Sequence, residues 1–276
     1  MNHLWKLRIK KSSNDAYKIY RRKKFLIFSG CVLLVLHLIF PQYLKRLIYP
    51  YLFGKKSVQV QEISQEDFFE DLDAVPFKIQ REHRNYLLVP KVKYSVTGRI
   101  GIVDHYDGWW TRIYRGQNQG KYIDLVPRDI VLVIGKMAQP DVFKLFEFEH
   151  EERMGRVLCK GVKYQKSFMS AHYIDEKEAK ISEENSRRCD PYMNMKEQNN
   201  YHPIPANEKI NKALSMLLKG DVVTLEGILV DVPELGLSTG TRKEQFHDKW
   251  VIAGQKAYKC FVLYTTRVIV NGVVYE

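Results

Sequence analysis

Acidic residues are almost missing from the first 56 positions, where Asp15 stands alone against thirteen Lys and Arg. Residues 1–24 carry a net +8 and residues 25–56 a net +4, against +12 for the whole chain, so residues 57–276 are neutral. A neutral domain lacks the basic stripe that follows phosphate backbones, which argues against nucleic acid as a partner. Cysteine is scarce: four residues, with no CxxC and no Cys/His spacing of the zinc kind. Nucleophile elbows, phosphate-cradling glycine loops and metal helices are also missing. The stretch HEERMGRVLC has His150-Glu151 but no second His at the spacing a zinc helix needs. No internal repeat or low-complexity tract occurs, and nothing in the sequence calls for a cofactor.

What the amino-terminal region does have is FLIFSGCVLLVLHLIF, residues 25–40, without a charge. Sixteen residues cover roughly 24 Å as helix, short of the ~30 Å hydrocarbon core. Continuing to Leu44 closes the gap, with Lys45 and Arg46 snorkelling to the far interface. Nine cations before the run and four after it predict an inward amino terminus and an outward carboxyl terminus. Phe40-Pro41-Gln42-Tyr43 has no small-residue cleavage site, and the apolar run continues beyond the lipobox-like FSGC at 28–31. The reading is an uncleaved signal anchor in a bacterial inner membrane, with a periplasmic domain. Cys31 lies in the span. Cys159, Cys189 and Cys260 are left as disulfide candidates, one bridge and one leftover thiol, with the pair open.

Four segments follow: a basic cytoplasmic tail (1–24), the transmembrane anchor (25–44), a juxtamembrane stalk with a short acidic helix (45–85) and a β-domain (86–276). The helix is read from QEISQEDFFEDLDAVPFKI, where Ser64 and Asp67 suggest a cap and Pro76 a stop. In KVKYSVTGRIGIV (91–103) apolar residues alternate around Gly98 and Gly101, as in a strand with a bend or bulge. DIVLVIGKM (129–137) and DVVTLEGILVDV (221–232) read as further strands, and KCFVLYTTRVIVNGVVYE as a final pair turning at Asn271-Gly272. ANEKINKALSMLLKGD gives a short amphipathic helix with Asn207 as N-cap and Gly220 as stop. Residues 160–200 read as a long surface loop with one helical turn. The fold class is therefore mainly β, a barrel with one or two short packed helices.

The order of a bent strand, a strand, a long excursion, a helix and then GDVVTLEG at 220–227 resembles OB-fold proteins over residues 90–276. HYDGWW, DLVPRDIVLVIGKM and HPIPAN also look like a group of single-pass bacterial envelope proteins without an assigned activity. The OB resemblance implies ligand binding through stacked aromatics; the aromatics are here and the positive charge is not.

The chemistry-bearing residues cluster in VDHYDGWWTRIYRGQNQGKYIDLVPRD, 103–129. His105, Asp107 and the distant His202 form an acid/base site if the fold joins them, with Asp124 or Asp129 orienting an imidazole. The simpler reading makes Asp107 and His105 turn formers and caps. His202-Pro203-Ile204-Pro205 is first of all a rigid extended lead into the helix. Trp109 and Trp110 face opposite ways in extended chain, and with Tyr106 and Tyr114 they are the candidates for partner binding. The expected function is a binding or scaffolding role in a cell-envelope assembly, such as a secretion or conjugation apparatus, with membrane lipid and other envelope proteins as partners. Two alternatives stand beside it. One is a membrane-anchored hydrolase using His105, Asp107 and His202. The other is an oligonucleotide- or glycan-binding module using Trp109, Trp110 and Tyr114.

Overall fold

The computed structural model describes residues 48, 52, 54–56, 62–106, 122–151, 153–162, 176–194, 197–239, 251–252, 255–256 and 260–276. The basic tail, the apolar run at 25–44, Asp107, Trp109, Trp110 and Tyr114 lie outside the described residues. Among the described residues no helix is long and apolar enough to cross a membrane. The region is mainly β, with few short helices.

Thirteen strands are described. They are β1 (Lys55–Lys56), β2 (Phe68–Asp71), β3 (Phe77–Arg81), β4 (Arg84–His105), β5 (Arg128–Val133), β6 (Phe146–Glu151) and β7 (Met154–Cys159). After these come β8 (Gln198–Pro205), β9 (Val222–Asp231), β10 (Val251–Ile252), β11 (Gln255–Lys256), β12 (Cys260–Val270) and β13 (Val273–Tyr275). The helices are α1 (Pro140–Phe143), α2 (Glu176–Cys189) and α3 (Glu208–Ser215).

Five strands pair in a closed cycle. β4 pairs with β5, β5 with β8, β8 with β12, β12 with β9, and β9 returns to β4. Only β8 and β12 run parallel; α3 connects β8 to β9. β2 and β3 extend the sheet from β4, and β13 extends it from β12.

β4 turns its corner where its glycines predict. The register with β5 shifts between Ile100 and Ile102, and a Cβ on Gly101 would lie 2.3 Å from Phe148 Cδ1. Only a residue without a side chain lets Phe148 of β6 lie so close at this bulge. The closing hairpin has Asn271 and Gly272 at φ 51° and 72°, the left-handed pair that a two-residue turn requires. Helix α3 starts where Asn207 Oδ1 accepts from the Ile210 amide at 3.0 Å, and it buries Ile210, Ala213 and Leu214.

Inside the cycle the rings of Tyr94, Tyr201 and Phe261, from β4, β8 and β12, meet at 5.3 to 6.0 Å between centroids. The outer face carries two apolar clusters. In one, Phe146, Phe148 and Val157 of the β6–β7 hairpin pack on Val131 and Val133 of β5. The other joins Leu88, Val126, Ile204, Val230 and Val262. Each fully buried aliphatic or aromatic side chain contributes ~1.5–3 kcal/mol, so both patches hold their cover firmly. Between the two patches the same face turns polar.

Three expectations are corrected. The acidic stretch is not a helix: Phe68–Asp71 pairs with β4, and Ser64 Oγ accepts from the Thr97 amide at 2.9 Å. The open edge of β4 offers a full hydrogen-bond ladder, which outweighs the helical propensity of a few residues. The supposed loop after residue 160 holds the fourteen-residue α2, stabilised by Arg187 and Glu183 one turn apart at 2.6 Å. The run from Asp129 stops as a strand at Val133, and Gly135–Ala138 form a 3-10 turn.

Candidate active site

Strand register assembles the polar patch. Asn200 is opposite Cys260 across β8 and β12, and Val131 of β5 is opposite Asn200 on the other side. Residues two apart on a strand share a face. Asp129, Asn200, His202 and Cys260 therefore stand together, and Asp104, opposite Asp129 across β4 and β5, joins them. The β6–β7 hairpin adds His150 and Arg153.

The central contact joins His202 Nδ1 to Asp129 Oδ1 at 2.7 Å. An ionised carboxylate only accepts, so Nδ1 carries the proton and Nε2 faces the other way. On that side Asn200 Nδ2 lies 3.4 Å from His202 Nε2 and 3.7 Å from Cys260 Sγ, so imidazole and thiol stand beside one amide. Asp129 is fully buried and His202 is 7% exposed, whereas Cys260 is half-buried. The three side chains form a relay of carboxylate, imidazole and thiol across three adjacent strands, with the sulfur at its most accessible end.

Electrostatics favour the charged form of every member. Burial works against ionisation of Asp129, but the hydrogen bonds and charges of His202 and Arg153 hold its carboxyl down at about 2. Burial alone would lower His202; its bonds to Asp129 and Cys260, and their negative charges, lift it to about 9. Burial would raise the Cys260 thiol, yet the hydrogen bond and charge of His202 and a hydrogen bond from Asn200 bring it below its ordinary value. These shifts favour a thiolate beside an imidazolium, the pairing that activates a cysteine nucleophile.

The surroundings fix this geometry. Arg153 donates to both Asp129 oxygens, at 2.9 and 2.8 Å, and its guanidinium lies 4.7 Å from the centroid of the Tyr106 ring. Asn200 Nδ2 donates to the Arg153 carbonyl at 2.9 Å and lies 3.7 Å from Cys260 Sγ. Asn200 Oδ1 is 3.2 Å from His150 Nε2, whose Nδ1 is 3.2 Å from Asp104 Oδ2. Among the described residues no group of three or more His, Cys, Asp or Glu side chains has a metal-binding arrangement.

The predicted residues are distributed differently from the expectation. His202 and Asp129 do meet, whereas Asp124 pairs with Arg84 at 3.3 Å. His105 is next to Asp104 on β4 and so points to the opposite face, where it accepts from Arg128 Nε at 3.2 Å. Arg128 in turn donates to Asn211 of α3 at 2.6 Å. A site made of His105 and His202 is thus split by the sheet. Tyr106 is only 2% exposed, covered by Arg153, so its ring belongs to the site's wall and not to a docking surface. Asp107, Trp109, Trp110 and Tyr114 lie outside the described residues.

Of the three bridge candidates, Cys159 of β7 and Cys189 at the end of α2 are buried in the same apolar cluster, with Cys189 Sγ donating to the Leu145 carbonyl at 3.4 Å, and Cys260 stands beside Asn200. All three are free thiols in this structure. Sequence reasoning missed Cys260 as a reactive thiol and Asn200 and Arg153 altogether, and it weighed His150 only as part of a metal helix. The alternation Asn200-x-His202 on one strand was the available signal. No protein-family model, curated protein or solved structure matches the chain, so its chemistry is read from the site itself.

Proposed function

We propose that the chain is a membrane-anchored enzyme that transfers acyl groups through Cys260, with His202 as acid and base and Asp129 as the carboxylate that orients it. One observation carries the reading: His202 holds a buried carboxylate 2.7 Å from Nδ1, while on its other side Asn200 Nδ2 is 3.4 Å from Nε2 and 3.7 Å from the Cys260 sulfur. Nucleophile, base and orienting group in that order are the parts of cysteine-based acyl transfer.

The steps balance in protons and electrons. The Cys260 thiolate attacks a carbonyl carbon, forming a C–S bond as the π pair moves onto oxygen. Collapse of that oxyanion breaks the bond to the leaving group, which departs with the proton of His202 Nε2. Water or a second nucleophile then attacks the thioester, gives its proton to Nε2 and releases the thiolate. The substrate class is an ester, thioester or amide carbonyl.

The cyclic strand order, its one parallel pair and a helix between the third and fourth ring strands support the OB-like barrel expected from the sequence. The uncharged run at 25–40 and its flanking cations support a signal anchor with the domain outside the cytoplasm.

The test uses the full chain in detergent with p-nitrophenyl acetate. Wild type releases a burst of p-nitrophenol and gains one acetyl group on Cys260, read by peptide mapping; Cys260→Ala and His202→Ala lose the burst. No burst from wild type, or an equal burst from Cys260→Ala, overturns the reading. A second reading, a subunit of an envelope assembly, is favoured by Phe68 on edge strand β2, 59% exposed, and by Val75, 81% exposed. If Cys260→Ala supports function in cells and Phe68→Ser does not, the assembly role prevails.

A further inference from the structure

The side chain beside the nucleophile is Asn200, fully buried and opposite Cys260 in the parallel pairing of β8 and β12. Its orientation is settled by its partners. Nδ2 is 2.9 Å from the Arg153 carbonyl, which can only accept, so the nitrogen is correctly on that side. Oδ1 then faces His150 Nε2 at 3.2 Å, which must bring its proton there.

One Nδ2 hydrogen is used on Arg153. The second points to the space shared by Cys260 Sγ at 3.7 Å and His202 Nε2 at 3.4 Å. Once His202 is an imidazolium, Nε2 is a donor and cannot accept. The second hydrogen then has the sulfur as its acceptor, over a long distance and through a buried, preoriented amide.

We propose that Asn200 Nδ2 is a donor to the oxyanion formed when Cys260 attacks a carbonyl, a role that rests on the acyl-transfer reading above. When the C–S bond forms, negative charge leaves the sulfur and develops on the carbonyl oxygen beside it. A donor held at the thiolate therefore follows the charge without reorganisation, the condition under which a single hydrogen bond is worth most to a transition state. His150 is a positioning residue, holding the amide by its oxygen.

Two reagents separate this role from support of the thiolate. Iodoacetamide reacts with a thiolate by displacement at carbon and forms no oxyanion. p-Nitrophenyl acetate acylates through one. Both rates are measured on the full chain across pH, and each variant is compared with wild type at its own maximum. In Asn200→Ala and in the isosteric Asn200→Asp, acylation is expected to fall ~100-fold or more while alkylation keeps its wild-type maximum. Equal falls in both rates, or no fall in acylation, overturn the proposal. Loss of folding in both variants makes Asn200 a structural residue and overturns it as well. Failure of the underlying reading looks different: wild type itself would then acylate no faster than Cys260→Ala.

Discussion

Arg153 grips both carboxylate oxygens of Asp129, through Nε at 2.9 Å and Nη2 at 2.8 Å, and in doing so pins the β6–β7 hairpin to the face of β5. The carboxylate is wholly buried and the arginine side chain is 21% exposed, so the pair works at low dielectric. Removing one partner of such a pair strands the other. Arg153→Met, which keeps the stem and loses the fork, is expected to cost about 3 kcal/mol in urea unfolding. A loss under about 1 kcal/mol, the range of exposed pairs, would mean the pair is solvated in solution.

The pH profile of Cys260 follows from the two shifts in the ion pair. Below the lowered thiol value the sulfur is protonated; above about 9 His202 loses its proton. Acylation should therefore be bell-shaped, with its acid limb below the ordinary thiol range and its alkaline limb near 9. The acid limb is expected to move up in His202→Gln. A limb that stays put in that variant would detach the thiol from the imidazole.

Stability has its own pH signature, and the signs differ. His202 is raised from 6.5 to about 9, so its contribution is complete below 6.5 and disappears as pH rises through about 9. Asp129 is lowered from 3.8 to about 2; its contribution is complete above 3.8 and disappears as pH falls toward about 2. The difference in stability between wild type and Asp129→Asn should peak between these windows and shrink on both sides, as read by denaturant unfolding across pH. A flat difference would show that neither group titrates with folding.

Gly155 lets the hairpin lie against the site. A Cβ there would lie 2.1 Å from Val131 Cγ2 and 3.3 Å from Asn200 Oδ1. Val131 is a short, stiff side chain inside a ladder and has no room to yield. Gly155→Ala is expected to cost ~1–3 kcal/mol and to slow acylation of Cys260 by shifting Asn200. A stable variant with wild-type acylation would place the hairpin differently from the geometry described.

The three cysteines should separate by chemistry. In reduced native protein, iodoacetamide is expected to label Cys260 first, because Cys159 and Cys189 are 2% exposed and burial pushes the Cys159 thiol up. In protein isolated from an oxidising compartment, denaturation without reductant should again expose only Cys260 of these three, the other two having bridged. A loop of that span is stabilised by about 3–4 kcal/mol. Labelling of all three would put the domain on a reducing side.

Local chemistry was legible in the sequence, and long-range register was not. Asn207 as a cap, Asn271-Gly272 as a turn and the bulge near Gly101 each follow from a few neighbouring residues, and each is found. Phe68–Asp71 and α2 were misread because what decides them lies far away: a free strand edge in one case, a face under the hairpin in the other. The site divides the same way. His202 and Asp129 were recognisable by type, but their meeting with Cys260 depends on a parallel pairing between strands separated by a helix and three further strands. Without that register Cys260 is one of three equivalent thiols, and His105 is as good a partner for His202 as any.

The cyclic pairing also sets a timetable. β4, β5, β8 and β9 can associate in the order in which they emerge, but the ring stays open until β12 inserts between β8 and β9. Strands so distant along the chain pair slowly, because the loop entropy is spent before the contacts form. β12 opens with Cys260, so the thiol meets His202 only at the step that completes the barrel. A chain still short of β12 closure thus carries an ordinary, sluggish cysteine. Reactivity switches on with closure, and quality control of the fold and arming of the nucleophile become one event.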